Sequence, residues 1–498
     1  MSENPCAFCD LRGERLFSPM RLTIYFLTLL ILIFHSGSAP AGPPNVVLIL
    51  MDDMGWRDVG FAGNDFVETP NLDRLASEGI RFTQAYASAP NCAPTRACLM
   101  SGQYTPRHGV FTVIDPRHDP GQSHHKVISA KSNEALSGDV ITIAELLQSK
   151  GYATACFGMW NLGRGRSGPA TPTGQGFDLF TEPKSIGFEK DAYFDSEGRY
   201  CSDVLTDETL SFIESHRSSP FFIYLATHDV HAPLEPKPEL IAKYQKKSQR
   251  VKVSEAEIQQ AAAVEAIDTN VGRIMNRLRE LKIDDNTIVI FTSDNGGTPQ
   301  FVAPLNGSKG ALYEGGIRVP AAIWWKDLKN PGRTFDEPVL SMDFYPTIAE
   351  LTGIDLPRDQ PVDGTSLASI LRDETKSLQR EAVFWHFPCY IGRGEPSSAV
   401  RMGDWKLIEK FQDETFELYN LRNDPGEKTN LAPSESEHLQ RLKKTLRLWQ
   451  DKLHAPRPTD PNPNYDPSAV QQRGPRNGGG GGDAGRGKGG GGGKKKAK

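Results

Sequence analysis

The sequence lacks a hydrophobic run long enough for a comfortable membrane span. Its main apolar segment, Leu22–Phe34, has 13 residues, whereas a membrane-spanning helix needs about 20. Arginines precede this segment and small residues follow it, which is typical of a secretory signal peptide cleaved near Ala39 or Ala41. We predict that residues 1–41 are a signal peptide, that the protein is secreted or periplasmic, and that the mature chain has no transmembrane helix. An uncleaved signal anchor is the alternative.

Cysteine is scarce and odd in number. The chain has seven cysteines, and Cys6 and Cys9 lie within the predicted signal peptide, so we expect neither zinc nor redox chemistry from them. An odd number in an exported protein requires an explanation beyond a complete set of disulfides. The mature chain keeps five cysteines: Cys92, Cys98, Cys156, Cys201 and Cys389. Any disulfide pairing among the last four of these stays open.

The chain also lacks a basic excess outside its last residues. Residues 473–498 hold eight Lys and Arg against one Asp, a net charge of +7, and the remainder of the chain carries −12. This glycine-rich tail cannot bury apolar surface and has no aromatic side chain to stack on bases. We predict that residues 456–498 are disordered and that the basic tail binds polyanions through charge, without specific nucleic acid recognition.

Strand and helix patterns alternate over residues 42–374, without an internal repeat. "NVVLILMDD", "PFFIYLATHD" and "TIVIFTSDN" are apolar runs that end in polar residues, as expected of buried parallel strands. Ser254 and Glu257 form a capping box before a long helix with one apolar face. The alternation predicts an α/β domain built on a large, mostly parallel (mixed) sheet flanked by helices.

The pattern changes after residue 374. "SAVRMGDWKLIEKF" and "TFELYNL" resemble antiparallel strands separated by a short turn. "SESEHLQRLKKTLRLWQDKLH", residues 434–454, has leucines at helical spacing and is predicted to be an amphipathic helix. We therefore predict a small C-terminal α+β subdomain over residues 375–455.

Oxygen-donor side chains follow two of the apolar runs. Asp52 and Asp53 end the first, and Asp294 and Asn295 end the one that follows the long helix. Ligands bind at the carboxyl ends of strands in open α/β sheets. Four oxygen donors, with no histidine or thiolate among them, suit Ca²⁺ or Mg²⁺ better than zinc.

A cysteine stands at a predicted helix start in "NCAPTRACLMSGQ", residues 91–103. Pro94 and Thr95 favour a helix start, and Arg96 keeps a permanent cation close to Cys92. A helix N-terminus beside an arginine is an anion site, so the position of Cys92 would face a tetrahedral oxyanion ester. From these residues alone, a disulfide, a metal ligand, a reactive thiol, a modified side chain and a buried structural cysteine all stay open.

This stretch resembles the signature of the type I sulfatases, in which the pattern Cys-x-Pro-Ser/Thr/Ala-Arg directs oxidation of the cysteine to formylglycine. The resemblance extends from Asn45 to about Leu453. It implies an alkaline-phosphatase-like fold and sulfatase or arylsulfatase activity, and converting Cys92 would leave four cysteines. The segments that match the family, in order, are "MDDMGWRDVG", "TPNLDRLASEG", "PTRACLMSGQY", "SDNGG", "GSKGALYEGGIRVP", "MDFYPTIAELTG", "DGTSL" and "GDWKLI…ELYNLRNDPGE".

The resemblance also implies a role for each site residue. A maturation enzyme would make the formylglycine, whose hydrated diol would attack the sulfur of a sulfated carbohydrate or aryl sulfate, with Arg96 offsetting charge. Lys309 and His231 resemble the pair that binds sulfate and protonates the leaving oxygen. The implied ligands of Ca²⁺, or of Mg²⁺, are Asp52, Asp53, Asp294, Asn295 and the formylglycine made from Cys92.

One motif departs from the family. The usual Gly-Lys-Trp-His-Leu-Gly here reads "GMWNLG", so Met159 and Asn161 stand where a lysine and a histidine would contact the diol and sulfate. Methionine is uncharged, and asparagine cannot act as a base near neutral pH. A lost general base typically costs ~10²–10⁴ in rate. Two residues apart on a strand, both side chains are expected to point to one side. The histidines that would compensate for the missing base are His108, His118, His124 and His125.

Two other functions stay open beside the sulfatase hypothesis. The first is a phosphoric ester hydrolase of the same superfamily, although such enzymes usually have Ser, Thr or unmodified Cys as nucleophile and histidine-rich zinc sites. The second is a catalytically impaired protein that binds sulfated glycans, which the "GMWNLG" motif favours.

Overall fold

The apolar run after Pro44 lies at the centre of the main sheet. The structure, a computed structural model, describes residues 42–113, 121–163, 168–189, 192–392 and 394–471. The predicted signal peptide and the +7 tail therefore lie outside the described residues. The strands are β1 (Asn45–Met51), β2 (Ile80–Phe82), β3 (Ala85–Tyr86), β4 (Ala153–Gly158), β5 (Leu179–Thr181), β6 (Phe221–Thr227), β7 (Thr287–Ser293), β8 (Ala321–Trp325), β9 (Arg333–Phe335), β10 (Val339–Leu340), β11 (Val383–Phe387), β12 (Ser397–Met402), β13 (Trp405–Lys410) and β14 (Thr415–Asn420).

The main sheet has eight strands in the order β5-β4-β6-β1-β7-β8-β2-β9. β8 is antiparallel to both of its neighbours, and every other adjacent pair is parallel. Both faces of β1 are buried, because alternate residues enter two different apolar cores. This arrangement confirms the predicted large mixed sheet and explains the unbroken apolar runs.

Helices cover both faces of this sheet. The capping box of Ser254 and Glu257 is present, and the residues predicted to form the apolar face of the helix after it are buried. Thr142 caps another helix, which begins at Ile143. The helices are α1 (Pro70–Glu78), α2 (Cys92–Ser101), α3 (Thr105–His108), α4 (Ile143–Gln148), α5 (Cys201–Ser215), α6 (Pro238–Ser248), α7 (Glu255–Glu280), α8 (Glu314–Ile317), α9 (Phe344–Leu351), α10 (Ala368–Leu371), α11 (Ser436–Lys452) and α12 (Pro467–Gln471).

A second, antiparallel sheet has the order β11-β12-β13-β14. The predicted strands correspond to β12, β13 and β14, whereas β11 was missed. The predicted helix is α11, which buries Leu442 and Leu446 in the core shared with this sheet. That core also includes Tyr86 and Cys98, so the second sheet packs against the helix that begins at Cys92.

The predicted start of the disordered tail at residue 456 is too early. Pro461 forms a β-bridge with Val127, and the side-chain amide of Asn462 donates to the carbonyl of His125 at 2.9 Å. Residues 456–466 therefore pack on the body of the protein, and α12 follows them. Within the described ranges, no helix has the length and apolar character needed to cross a membrane.

Candidate active site

The carboxyl ends of β1 and β7 bring the predicted acidic residues together. The two strands are parallel neighbours, and Met51 is paired with Ser293. Asp52 and Asp294 therefore follow paired residues, and the amide of Asp294 donates to the carbonyl of Met51 at 3.0 Å. The adjacency of two strands whose paired residues are 242 positions apart places both aspartates at one point of the sheet edge.

Hydrogen bonds link the turns after the two strands. Asp53 has a left-handed φ of 69°, which turns the chain directly after Asp52 and is uncommon outside glycine. Nδ2 of Asn295 donates to Oδ1 of Asp53 at 2.7 Å. Ser293, which the sequence analysis did not single out, accepts from the amide of Met54 at 3.0 Å. Its position at a strand end before Asp294 was the available signal.

Cys92 begins α2 and faces this acidic turn. Its Sγ lies 3.2 Å from Oδ1 of Asp52 and 3.5 Å from Oδ1 of Asn295. Ligand atoms of Cys92, Asp52, Asp53 and Asp294 all lie within 4.8 Å of one another, and all four residues are buried. The structure thus brings the sequence-predicted thiol and metal ligands into one cluster.

Arg96 lies one helical turn after Cys92 and is completely buried. Its guanidinium donates to Oδ2 of Asp294 at 2.7 Å and to Oδ2 of Asp52 at 3.0 Å. Nη1 donates to the backbone carbonyl of Met159. The planar fork of arginine suits three acceptors held in fixed directions, so Arg96 connects α2 with the ends of β1, β7 and β4.

Lys309 and His231 reach the cluster from its accessible side. Nζ of Lys309 lies 2.6 Å from Oδ1 of Asp53 and 3.9 Å from Oδ1 of Asp52. Nε2 of His231 lies 3.8 Å from Oδ2 of Asp53, and 43% of its side chain is exposed. These two residues are therefore placed where a bound ester would contact both the cluster and solvent.

The charges in the cluster shift the pKa values of its members. Burial alone would raise the pKa of Asp52, but Arg96, His231 and Lys309 hold it well below its usual range. Burial and the charge of Asp52 raise the pKa of Asp294 to about 7, because the one guanidinium they share offsets the repulsion only in part. Burial, together with Asp294 and Asp52, raises the pKa of the Cys92 thiol. The cluster therefore holds an excess of negative charge that a bound cation would offset.

Met159 and Asn161 do not follow the expected alternation. Met159 is partly buried and its side chain packs against an apolar core. Asn161 has a left-handed φ of 59°, so the alternation of a strand does not continue from residue 159 to residue 161. The expectation that both side chains point to one side therefore has no support in the backbone.

The proposed compensating histidines include buried residues. His108 is buried and accepts from the amide of Val110 at 3.1 Å, and burial lowers its pKa to about 3. His125 is buried and its ring stacks on Tyr390. His118 lies outside the described residues. Cys92 and the other four cysteines of the described chain are buried free thiols.

Comparison with known proteins identifies the family. The model of the Sulfatase family matches residues 44–354, which include every residue of the cluster. The chain belongs to the sulfatase family. It is accordingly a sulfuric ester hydrolase, and the predicted resemblance is confirmed. A second model, N-sulphoglucosamine sulphohydrolase, C-terminal, matches residues 308–453 of this sulfatase, a range that includes the antiparallel sheet and α11.

Relatives of this sulfatase cover nearly its whole length. A "Sulfatase" of Formosa agariphila is 34% identical, over 83% of this chain and 90% of that protein. N-acetylgalactosamine-6-sulfatase of Canis lupus familiaris is 29% identical, over 90% of this chain and 93% of its own length. The crystal structure of Ps i-CgsB in complex with k-i-k-neocarrahexaose has a TM-score of 0.69 and 27% identity, and covers 86% of this chain and 97% of that chain.

Proposed function

We propose that this sulfatase is exported and hydrolyses a sulfate monoester on a sulfated carbohydrate, through a formylglycine at position 92 and a bound Ca²⁺. One observation carries the proposal. The thiol of Cys92 lies at the start of α2 within a buried cluster of three carboxylates, and Arg96, Lys309 and His231 reach the same cluster.

The residues of the cluster fit a hard divalent cation. Three carboxylates are packed within 4.8 Å of one another together with Cys92, and burial together with their repulsion raises the pKa of Asp294. Carboxylate and amide oxygens are the ligands that Ca²⁺ and Mg²⁺ prefer. Such an ion would withdraw charge from a sulfate oxygen. The residues that would hold it are Asp52, Asp53, Asp294 and Asn295.

A formylglycine at position 92 would supply, once hydrated, one hydroxyl to attack sulfur and a second to expel sulfate afterwards. Arg96 fixes the start of α2 against both strand ends and holds a permanent positive charge beside the position where negative charge develops. We infer that a dedicated maturation enzyme oxidises Cys92 before the chain folds, because the side chain is buried in the folded protein.

Lys309 and His231 would contact the sulfate group and the leaving oxygen of the ester. Burial alone would lower the pKa of Lys309, but Asp53, Cys92 and Asp52 raise it well above the usual value, so its ammonium stays charged. It would bind sulfate oxygens and offset charge that develops on the leaving oxygen. His231 is the more exposed of the two, and a ring nitrogen there donates a proton to the leaving oxygen. The two residues act from separate loops: Lys309 lies against Asp53, and His231 lies on the solvent side.

Two relatives support a carbohydrate as the leaving group. N-acetylgalactosamine-6-sulfatase is named for a sulfated sugar, and Ps i-CgsB has been crystallised with k-i-k-neocarrahexaose. Export rests on the apolar segment Leu22–Phe34 and the small residues after it. The departure at Met159 and Asn161 favours one second candidate, a protein that binds sulfated glycans without turning them over.

The test is incubation with a panel of sulfated oligosaccharides and an aryl sulfate, with free sulfate and retained ligand measured in parallel. We expect sulfate release by the matured protein and none by Cys92→Ala, which keeps the fold. Retention without release would favour the glycan-binding function. Release of phosphate from the corresponding phosphate esters at a higher rate would favour the phosphoric ester hydrolase.

A further inference from the structure

Three sequence motifs each contribute one charged residue, to which no catalytic role has been assigned, to a single buried cluster. Glu314 comes from "GSKGALYEGGIRVP", Lys406 from "GDWKLI" and Glu427 from "NDPGE". Nζ of Lys406 lies 2.9 Å from Oε1 of Glu314 and 2.9 Å from Oε1 of Glu427, and all three side chains have no exposed surface. We refer to these three residues as the Lys406 cluster.

Hydrogen bonds hold the Lys406 cluster in one arrangement. The hydroxyl of Tyr86 donates to Oε2 of Glu314 at 2.7 Å, and Arg401 in turn donates to that hydroxyl. The backbone amide of Glu314 donates to Oε2 of Glu427 at 2.7 Å. The cluster therefore connects the antiparallel sheet, through Lys406 on β13 and Arg401 on β12, with the backbone at Glu314.

Glu314 ends the loop that carries Lys309. The amide of Gly315 donates to the carbonyl of Asn306 at 2.7 Å and closes this loop on itself. A Cβ at Gly315 would lie 2.5 Å from that carbonyl oxygen, so only glycine permits the approach. The side-chain amide of Asn306 also donates to the backbone carbonyl of Glu427 at 3.4 Å. Both ends of the Lys309 loop are therefore attached to the Lys406 cluster.

The other side of the same loop is attached to the active site. The amide of Lys309 donates to the carbonyl of Gly297 at 3.1 Å, two residues after Asn295. The amide of Gly310 donates to the carbonyl of Pro90 at 2.7 Å, two residues before Cys92. Backbone hydrogen bonds of the loop thus connect the Lys406 cluster with the segment before Cys92 and with the segment after Asn295.

The Lys406 cluster is poorly explained by stability alone. The free-energy cost of removing two carboxylates and an ammonium from water offsets most of their mutual attraction. Apolar side chains of the same volume often stabilise a core as well or better. Charged groups differ from apolar ones in direction, since each hydrogen bond fixes both distance and orientation. The Lys406 cluster is therefore suited to fixing the position and orientation of the Lys309 loop relative to the active site.

We propose that Lys406, together with Glu314 and Glu427, positions Lys309 beside Asp53. The Lys406 cluster thereby fixes the side of the active site that binds sulfate and acts on the leaving oxygen. The proposal rests on the proposed function of Lys309. The ammonium of Lys309 contacts Asp53 at 2.6 Å, and a shift of about 1 Å in a catalytic group is enough to lower a rate about 100-fold. Lys406 acts through the loop and touches no substrate.

A positioning role makes a prediction that a structural role does not. A sugar alkoxide is a poor leaving group and needs protonation in the transition state, whereas a nitrophenolate needs little. The ammonium of Lys309 offsets part of the charge on the leaving oxygen that His231 protonates, so its displacement slows hydrolysis of a sugar sulfate much more than hydrolysis of 4-nitrophenyl sulfate. A loss of folded protein lowers both rates by the same factor.

The experiment uses the full-length, matured chain with Lys406→Met. We expect kcat on a sugar sulfate to fall about 10- to 100-fold, and kcat on 4-nitrophenyl sulfate to fall by at most about threefold. Lys126→Met is the matched control, because it removes a lysine from an exposed ion pair with Asp413, and it should leave both rates unchanged. Lys309→Met is the reference and should show the same selectivity between substrates.

A second readout does not depend on turnover. Hydrogen–deuterium exchange of the peptide covering residues 306–317 should become at least about tenfold faster in Lys406→Met, while exchange in β1 and β7 is unchanged. If Lys406→Met does not fold, the variant Lys406→Met/Glu314→Gln/Glu427→Gln removes all three charges and keeps the side-chain lengths. It should fold, exchange faster over 306–317, and retain the selective loss on sugar sulfate.

Equal losses on both substrates, or unchanged exchange over 306–317, would overturn the positioning role. Full recovery of sugar sulfate turnover in the triple variant would do the same, since it would show that the charges serve folding alone. The proposed function fails in a different way: the unaltered protein would release no sulfate, or Lys309→Met would show no selectivity between the substrates. The exchange measurement distinguishes these cases, because it reports on the loop in either event.

Discussion

Nη2 of Arg96 lies 2.7 Å from Oδ2 of Asp294, and both side chains are completely buried. Removing one partner of such a pair leaves a buried charge uncompensated, which typically costs about 3–5 kcal/mol. We expect Arg96→Ala to lower the free energy of unfolding by that amount and to lower kcat by about 10²–10³-fold. Denaturant unfolding and steady-state kinetics measure the two effects. Arg74→Ala, in an exposed pair with Glu78, is the control and should change stability by less than about 1 kcal/mol.

Oxidation of Cys92 is the second prediction. The pattern Cys-x-Pro-x-Arg is uninterrupted, and Cys92 lies at the start of α2 facing the carboxylate cluster. Protein produced with a maturation enzyme should carry formylglycine in the tryptic peptide that ends at Arg96, as measured by mass spectrometry. Cys98, also buried in α2, is the internal control and should stay a thiol. Finding only unmodified thiol at Cys92, in cells that mature other sulfatases, would contradict the prediction.

Calcium dependence is the third prediction. Removing divalent ions should lower the thermal midpoint and abolish turnover, and Ca²⁺ should restore both, because a ligand at 100 times its Kd stabilises the folded state by about 2.7 kcal/mol. Asp294→Ala should weaken Ca²⁺ binding measured by calorimetry, since one of three clustered carboxylates is lost. Asp285→Ala, at an exposed ion pair with Lys326, should bind Ca²⁺ as the unaltered protein does. Stoichiometric zinc in the native protein, with activity lost on its removal, would refute the assignment.

The features that sequence predicts well are local or follow from strand polarity. Ser254 and Glu257 cap their helix as predicted, because all the interacting atoms lie within four residues. Asp52 and Asp294 meet because the carboxyl ends of parallel strands share one edge. Nothing in the sequence, however, fixes β1 and β7 as neighbours. The Sulfatase resemblance supplied that step.

The features that sequence analysis missed depend on distant partners. β11 pairs with β12, and Pro461 forms a β-bridge with Val127; neither partner can be read from the local sequence. The Lys406 cluster joins residues from three motifs, and each motif alone resembles an ordinary surface turn or strand. Asn161 shows the same limit, since its left-handed backbone interrupts the strand alternation that was assumed for this segment.

A buried aspartate outside the active site gives a pH-dependent prediction. Burial raises the pKa of Asp58 to about 7, although Gly55 and Gln260 donate hydrogen bonds to it. The native state thus holds a proton on Asp58 that the unfolded state releases near pH 4. Stability therefore falls as pH rises from about 4 to about 7, because ionisation of this aspartate favours the unfolded state over that range, and the full penalty is present above pH 7.

Asp58→Asn should therefore be stabilising at pH 8 and nearly neutral at pH 4. Both hydrogen bonds end on the same oxygen, Oδ2, so the amide oxygen of asparagine can replace it. We expect a gain of roughly 2–4 kcal/mol at pH 8, measured as the difference in unfolding free energy between the variants across this pH range. Asp65→Asn, at an exposed position, should show no such trend. A gain that is independent of pH would exclude ionisation of Asp58 as its cause.

The departure at Met159 and Asn161 gives the last prediction. Met159→Lys with Asn161→His rebuilds the family motif and introduces a cation and a titratable base near Arg96, whose bond to the carbonyl of residue 159 is unaffected. Histidine tolerates the left-handed φ of residue 161 better than most residues do. If the site lacks a base, kcat should rise about tenfold or more, with KM changed less, because the base assists expulsion of sulfate rather than binding.

The single variants separate the two contributions. Met159→Lys removes an apolar side chain that packs on the core, so it should lower the thermal midpoint and, without a new base, leave kcat unimproved. Asn161→His should carry most of the gain, and a burst of the first product seen with the native protein should diminish when sulfate expulsion is no longer slow. A native protein that already turns over rapidly, with a slower double variant, would contradict the prediction. "GMWNLG" would then be an adapted subsite in which the apolar side chain of Met159 and the backbone at Asn161 shape the pocket for one substrate.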